Sequence, residues 1–231
     1  MGEFDFSVVT TGEFRTWLVS GFLLSLQLLA ASWLLAVPMA TVVALCRLSS
    51  VGVLRGFGAV FVEGIRNVPL LVHMMFWYFA MPELLPEPAR NWLYEHNAEV
   101  VCAVMALALY SGSYMAEDIR SGIRSVSATQ IEAARALGFG FLAAMRRVVL
   151  PQAFRIVVPP LISQTLNLWK NTSIATVIGT AELMYQTQKV ETNSFRGVES
   201  FGVATLAYLT VSLVITAVAV GFQRRFPVRA I

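Results

Sequence analysis

Long apolar runs separated by short polar stretches set the pattern of this chain. A hydrocarbon core of about 30 Å takes roughly 20 helical residues to cross. Residues 16–46 carry no charge at all, which predicts a first span long enough to tilt, with Pro38 as a kink point. A second span is predicted over 56–81, interrupted by Glu63 and Arg66. A third falls at 98–117, a fourth at 156–180 with Lys170 inside it, and a fifth, free of charge, at 200–223. Five crossings put the two termini on opposite sides.

The distribution of Lys and Arg orients such a protein, because basic loops stay in the cytoplasm. With the N-terminus outside, the inner segments hold Arg47, Arg55, Arg120, Arg124, Arg135, Arg146, Arg147, Arg155, Arg224, Arg225 and Arg229. The outer segments hold only Arg15, Arg90, Lys189 and Arg196. An N-terminus outside and a C-terminus in the cytoplasm is therefore expected. The first fourteen residues hold Glu3, Asp5 and Glu13 and no Lys or Arg, unlike the basic start of a cleavable signal, so insertion is expected to use the internal apolar segments.

Composition narrows the class. Of 231 residues, 57% are hydrophobic and 13% charged, with mean hydropathy +0.67. Soluble domains carry about 25% charge, so this chain lacks the polar surface of a soluble enzyme. Disorder needs the opposite balance. A net charge of +3 without a basic patch does not fit nucleic-acid binding. What remains is an all-α integral membrane protein of one domain, 1–231. Cys46 and Cys102 fall at opposite faces of the bilayer on this topology, too far apart to bridge.

One inner segment, 118–151, is polar yet too long for a simple loop. Ser127-Ala-Thr-Gln130 fits a capping box, with Ser127 as N-cap and Gln130 at N3. Ile131-Glu-Ala-Ala-Arg-Ala-Leu137 then forms helix readily, and Gly138 suits the position just past its end. A short helix of small residues projecting from a membrane protein fits a groove on a soluble partner. The same segment also reads as a helix lying on lipid, with Phe139 and Phe141 as anchors. Spacing alone leaves both open.

At this segment the chain resembles a known family. Glu132-Ala133-Ala134, then three residues, Gly138, then nine residues, Val148, and Leu150 and Pro151 follow the EAA loop of bacterial ABC importer permeases. Val148 stands where Ile is common. Glu63-Gly-Ile-Arg66-Asn67-Val-Pro69-Leu70-Leu71-Val72 is similar to the second-span signature of the polar amino-acid subfamily. Leu168-Trp-Lys170-Asn171-Thr172-Ser173, Ile178-Gly179 and Glu182-Leu183 are similar to it as well. The loop Pro82-Glu83-Leu84-Leu85-Pro86-Glu87 looks most like permeases of glutamate/aspartate importers. His73 departs from the usual Gln, and Ala128-Thr129 from the usual residues before Gln130.

The resemblance implies the type I importer permease fold, with about five transmembrane helices and a cytoplasmic coupling helix. It implies a bacterial inner-membrane protein that pairs with a second permease, the same chain or a homologue. An ABC ATPase dimer would grip the coupling region through Glu132, Ala133, Ala134, Gly138, Leu150 and Pro151. A periplasmic amino-acid-binding protein would deliver substrate, expected in the acidic class of glutamate and aspartate. No Gly-x-x-x-x-Gly-Lys-Ser/Thr motif occurs. The chain is thus expected to be no enzyme and to bind no cofactor, leaving ATP and Mg to the partner subunit.

Charges inside a bilayer cost about 2.5 to 3.5 kcal/mol each on insertion scales and face protein or water. On a helix, Glu63, Arg66 and Asn67 share one face. They read either as a polar wall of the substrate pathway or as a Glu63–Arg66 pair that steadies a bend. Pro69 breaks helical geometry, which membranes tolerate beside a cavity, so 67–73 is a candidate site segment or an ordinary proline kink. His73 reads as a ligand or as a packed ring. Asn167, Lys170 and Asn171 fall on one face, and for an anionic substrate the ammonium and amide offset carboxylate charge. Thr172 joins this polar run, although consecutive residues cannot all face one way. Thr172 and Ser173 also suit bonds to a neighbouring helix. Gln164 and Gln186 are weaker candidates.

Two other functions make different demands on the chain. A self-sufficient secondary carrier or channel predicts two related halves, and no internal repeat is visible. A membrane enzyme needs a nucleophile or metal constellation, and two separated histidines, His73 and His96, supply none.

Overall fold

A computed structural model of the chain describes residues 5–227; Glu3 and Arg229 lie outside them. Every regular element among these residues is helical. In order they are α1 (Phe6–Thr10), α2 (Gly12–Leu48), α3 (Gly52–Arg66), α4 (Leu70–Met75), α5 (Glu87–Glu95), α6 (Ala98–Arg124) and α7 (Ala128–Ala136). Then come α8 (Phe141–Ala144), α9 (Leu150–Asn171), α10 (Leu183–Ser194) and α11 (Gly197–Arg225). Among the described residues, α2, α6 and α11 are long and apolar enough to cross a membrane. The broken pair of Gly52–Arg66 and Leu70–Leu84, whose axis bends by 100°, is long and apolar enough for a fourth only when its two halves are taken as one span. The segment expected as the fourth span lies in α9 and the 3-10 turn Thr172–Ile178 that continues it.

The helix ends follow local chemistry. α2 runs through Pro38 without a break. α3 stops at Asn67, whose side-chain amide donates to the Glu63 carbonyl at 2.8 Å, and Pro69 starts α4. Between α8 and α9 the helix widens into a π turn, Met145–Val149, just before Pro151. A proline ring crowds the carbonyl four residues back, and a wider turn relieves that clash.

Backbone contacts divide the chain into two compact units. The first gathers residues up to Leu35, Val68–Tyr110 and Leu166–Val214. Its main core packs Leu28, Met74, Ala103, Ala106, Leu107 and Leu168. Lipid tails are as apolar as leucine, so close packing around small residues, not exclusion from water, holds such helices together. Ala103 and Ala106, one turn apart and fully buried, provide that closeness on α6. A second core joins Leu18 of α2, Leu183 and Val190 of α10 and Ala204 of α11. Here Gly21 is needed: a Cβ on it would sit 2.9 Å from the Glu182 carbonyl oxygen.

The second unit comprises Ala36–Asn67, Ser111–Thr165 and the chain from Ile215. Val126, Val149 and Ala153 form its small core, with Ile123, Ile131, Met145 and Ile156 packed against it. This core fastens α7 to the root of α9.

Candidate functional site

α7 is stopped and started by its own side chains. The Ser127 hydroxyl accepts from the Thr129 N–H at 3.3 Å, so the cap closes on the second helical residue, not through Gln130. At the other end Gly138 has φ +84°. Its N–H donates to the Arg135 carbonyl at 2.9 Å, and the Phe139 N–H donates to the Ala134 carbonyl at 3.0 Å. This is a Schellman stop, which takes glycine at the left-handed position.

Of the six expected coupling residues, Glu132, Ala133, Gly138, Leu150 and Pro151 are exposed. Leu137, beside them, is 78% exposed. Ala134 is only 3% exposed. It lies one turn from Ile131, so both turn inward on the side of α7 that meets the π turn. Ala134 therefore seats the helix on its own chain and offers nothing to a partner.

The second unit also holds a charged network. Arg47 donates to Glu117 at 2.5 Å, and Arg120 binds both oxygens of the same carboxylate. Glu63 faces Arg47 at 3.9 Å, not Arg66. The Arg66 guanidinium instead lies over the Tyr114 ring, 4.6 Å from its centre. The expected Glu63–Arg66 pair is thus replaced by two contacts to other helices. Gln164 donates to Asp118 at 3.1 Å. Sequence reasoning missed Arg47, Tyr114, Glu117, Asp118 and Arg120 as partners; the one local signal was the Glu117/Arg120 spacing.

In the first unit, α4 packs against Thr172–Ile178, which brings His73's helix beside the polar run. The His73 ring meets Tyr110 edge-on at 6.0 Å. Asn167 and Lys170 lie on the exposed side one turn apart, and Asn171 is half-buried. Thr172 is fully buried and donates to the Trp169 carbonyl at 2.8 Å; Ser173 donates to the Lys170 carbonyl at 2.8 Å. Both hydroxyls bond back within their own segment, and Thr172 also meets the Tyr208 hydroxyl on α11, the contact to a neighbouring helix expected of it. Thr172, buried as it is, does not line an open surface.

A further buried centre forms around Glu182, which in the sequence reads only as part of a motif. Glu182, fully buried, caps α10 by accepting from the N–H groups of Met184 at 2.9 Å and Tyr185 at 3.0 Å. It also accepts from the hydroxyls of Ser25 at 3.2 Å and Tyr208 at 3.0 Å. Ser25 in turn accepts from the Leu183 N–H at 3.1 Å, and the Trp169 indole donates to the Tyr208 carbonyl at 3.1 Å. One carboxylate ties α2, α10 and α11 together. Gln186, the weaker candidate, donates to the Ala181 carbonyl at 3.5 Å and keeps a buried oxygen without a partner among the described residues. Cys46 and Cys102 are both free thiols.

These elements define an all-helical, multi-pass membrane protein with a capped helix standing between two of its long helices. The chain belongs to the family of binding-protein-dependent transport system inner membrane components, whose pattern matches residues 36–230. It is an inner-membrane permease component, a class of subunit that is not itself an enzyme. It is 34% identical over 213 residues to the glutamate/aspartate import permease protein GltJ of Escherichia coli K12, covering 90% of this chain and 87% of the relative. To the probable glutamine ABC transporter permease protein GlnM of Bacillus subtilis it is 37% identical over 209 residues, covering 90% and 88%. A crystal structure of an amino acid ABC transporter with histidines superposes with TM-score 0.85 at 29% identity, covering 97% of this chain and all of that one.

Proposed function

We propose that this chain is the membrane subunit of an ATP-driven importer for polar amino acids, with glutamate and aspartate the favoured substrates. The observation that carries the reading is α7: a helix capped at both ends, seated on the root of α9, with Glu132, Ala133 and Leu137 turned outward. Such a handle transmits force only if another protein grips it. The grip is an ABC ATPase dimer, which holds the ATP and Mg; this chain binds neither. A second permease, the same chain or a homologue, completes the pathway, and a periplasmic binding protein loads it. The N-terminus faces the periplasm and the C-terminus the cytoplasm, as the arginine bias requires. Nucleotide-driven closure of the ATPases moves the α7 helices together, and the spans alternate between inward- and outward-facing states.

Lys170 and Asn167, exposed on one face and joined by half-buried Asn171, suit an anionic side chain. The similarity to GltJ supports an acidic substrate. The comparable identity to GlnM favours a second reading, a neutral amide such as glutamine. Reconstitution of the complex in liposomes, with labelled glutamate and glutamine offered through the binding protein, separates them. Uptake of glutamate that requires ATP inside confirms the first reading. Uptake of glutamine alone overturns it, and uptake without any ATPase overturns the importer itself.

A further inference from the structure

At the junction of α2, α3 and α6 in the second unit lies an open groove of about 410 Å³. Arg47, Arg55, Arg120 and Arg124 line it, over a floor that includes Gly52 and Gly56. Nothing lies within 4 Å of the space a Cβ would fill on either glycine, so the floor is open. Arg47 and Arg120 share Glu117, and Glu63 lies 3.9 Å from Arg47. Arg55 and Arg124 are exposed, and among the described residues neither pairs with a carboxylate. Four guanidiniums against two carboxylates leave an excess of positive charge aimed at one small space.

α3 shows what else borders that space. Gly52, Arg55 and Gly56 lie on its groove face. Val53, Phe57 and Val60, spaced as one helical stripe, are 81%, 63% and 75% exposed on another. In a membrane component that stripe is open to acyl chains or a neighbouring subunit, because no water-facing helix keeps such a run. A basic hollow beside an apolar stripe, at the end of a crossing, matches one ligand: an anion that carries its own hydrocarbon. Guanidiniums fork onto phosphate oxygens, and basic pockets between membrane helices take anionic headgroups.

We infer that this groove binds the phosphate headgroup of an anionic phospholipid, whose acyl chains run along Val53, Phe57 and Val60. The cytoplasmic leaflet supplies it if the orientation proposed above holds; binding in detergent does not depend on the leaflet, so the two readings fail separately.

The test is native mass spectrometry of the chain co-purified with its partner subunits, titrated in detergent with phosphatidylglycerol or phosphatidylcholine. Phosphatidylglycerol should be retained in preference. Arg55→Gln with Arg124→Gln, which leaves the Arg47–Glu117–Arg120 contacts intact, should weaken retention about fivefold per arginine. Arg55→Lys with Arg124→Lys, which keeps the charge and loses the fork, should restore part of it, which separates charge from misfolding. Equal retention of phosphatidylglycerol by the glutamine variant overturns the proposal. Displacement of the lipid by millimolar inorganic phosphate reassigns the groove to a free anion. Loss of lipid binding whenever the ATPase partner is present, with recovery in its absence, makes the groove a protein contact instead.

Discussion

Replacing Gly138 tests how the α7 handle is made. Its φ of +84° costs an ordinary residue about 1–2 kcal/mol, and more for a β-branched one. Nothing lies within 4 Å of the space a Cβ would occupy, so bulk is harmless within the chain and only the backbone objects. Gly138→Val should therefore open the two hydrogen bonds that stop the helix, Gly138 N–H to Arg135 and Phe139 N–H to Ala134. A shift of that size changes the ratio of formed to frayed helix end by about 5- to 30-fold. Gly138→Asn, which tolerates the left-handed region, should cost much less. The assay is ATP-dependent uptake in liposomes containing the complete complex, with ATP hydrolysis measured in the same samples. Uptake per ATP should fall severalfold for valine, approaching about 30-fold where the frayed end dominates, and by no more than about twofold for asparagine. Wild-type uptake by the valine variant refutes the reasoning. So does equal damage from both, which assigns the glycine to an intermolecular contact instead of a backbone turn.

Four further outcomes follow from the structure. Glu182→Ala removes a helix cap and the shared acceptor of the Ser25 and Tyr208 hydroxyls; at about 1 kcal/mol for the cap and about 1 for each lost hydrogen bond, the melting temperature in detergent should drop clearly. Glu182→Gln keeps an acceptor oxygen and should fall between alanine and wild type in the same melt. Gly21→Ala forces a Cβ to 2.9 Å from the Glu182 carbonyl, and overpacking of that kind costs about 1–3 kcal/mol, read as lower thermal stability with the same helical content. Lys170→Gln should raise KM for glutamate more than for glutamine, since it removes a charge and little volume; equal changes for both count against a carboxylate contact.

Much of this molecule is legible in its sequence because the bilayer imposes coarse rules. Long uncharged stretches such as 16–46 have no alternative to helix in lipid. The break at Asn67–Pro69 and the stop at Gly138 are legible because proline lacks a donor and a left-handed turn takes glycine. What stayed hidden depends on distance along the chain. Arg47 reads as a loop charge until Glu117, seventy residues later, is placed beside it. Glu182 reads as a motif letter until Ser25 and Tyr208 converge on it. Ala134 resembles its neighbour Ala133 in every sequence property, yet one faces the π turn and the other faces out. Helical phase relative to a tertiary neighbour decides that, and no local signal carries it.

The claim that α7 is a handle for a foreign motor is tested most directly by cross-linking in membranes that contain the native partners. Leu137→Cys places a thiol at a position that is 78% exposed, and Ala134→Cys places one at a position that is 3% exposed. The account predicts a cross-link from position 137 to the ATP-hydrolysing subunit, changing in yield with nucleotide, and little from position 134. Labelling of position 137 by lipid-soluble reagents, with no ATPase adduct at any nucleotide concentration, contradicts it.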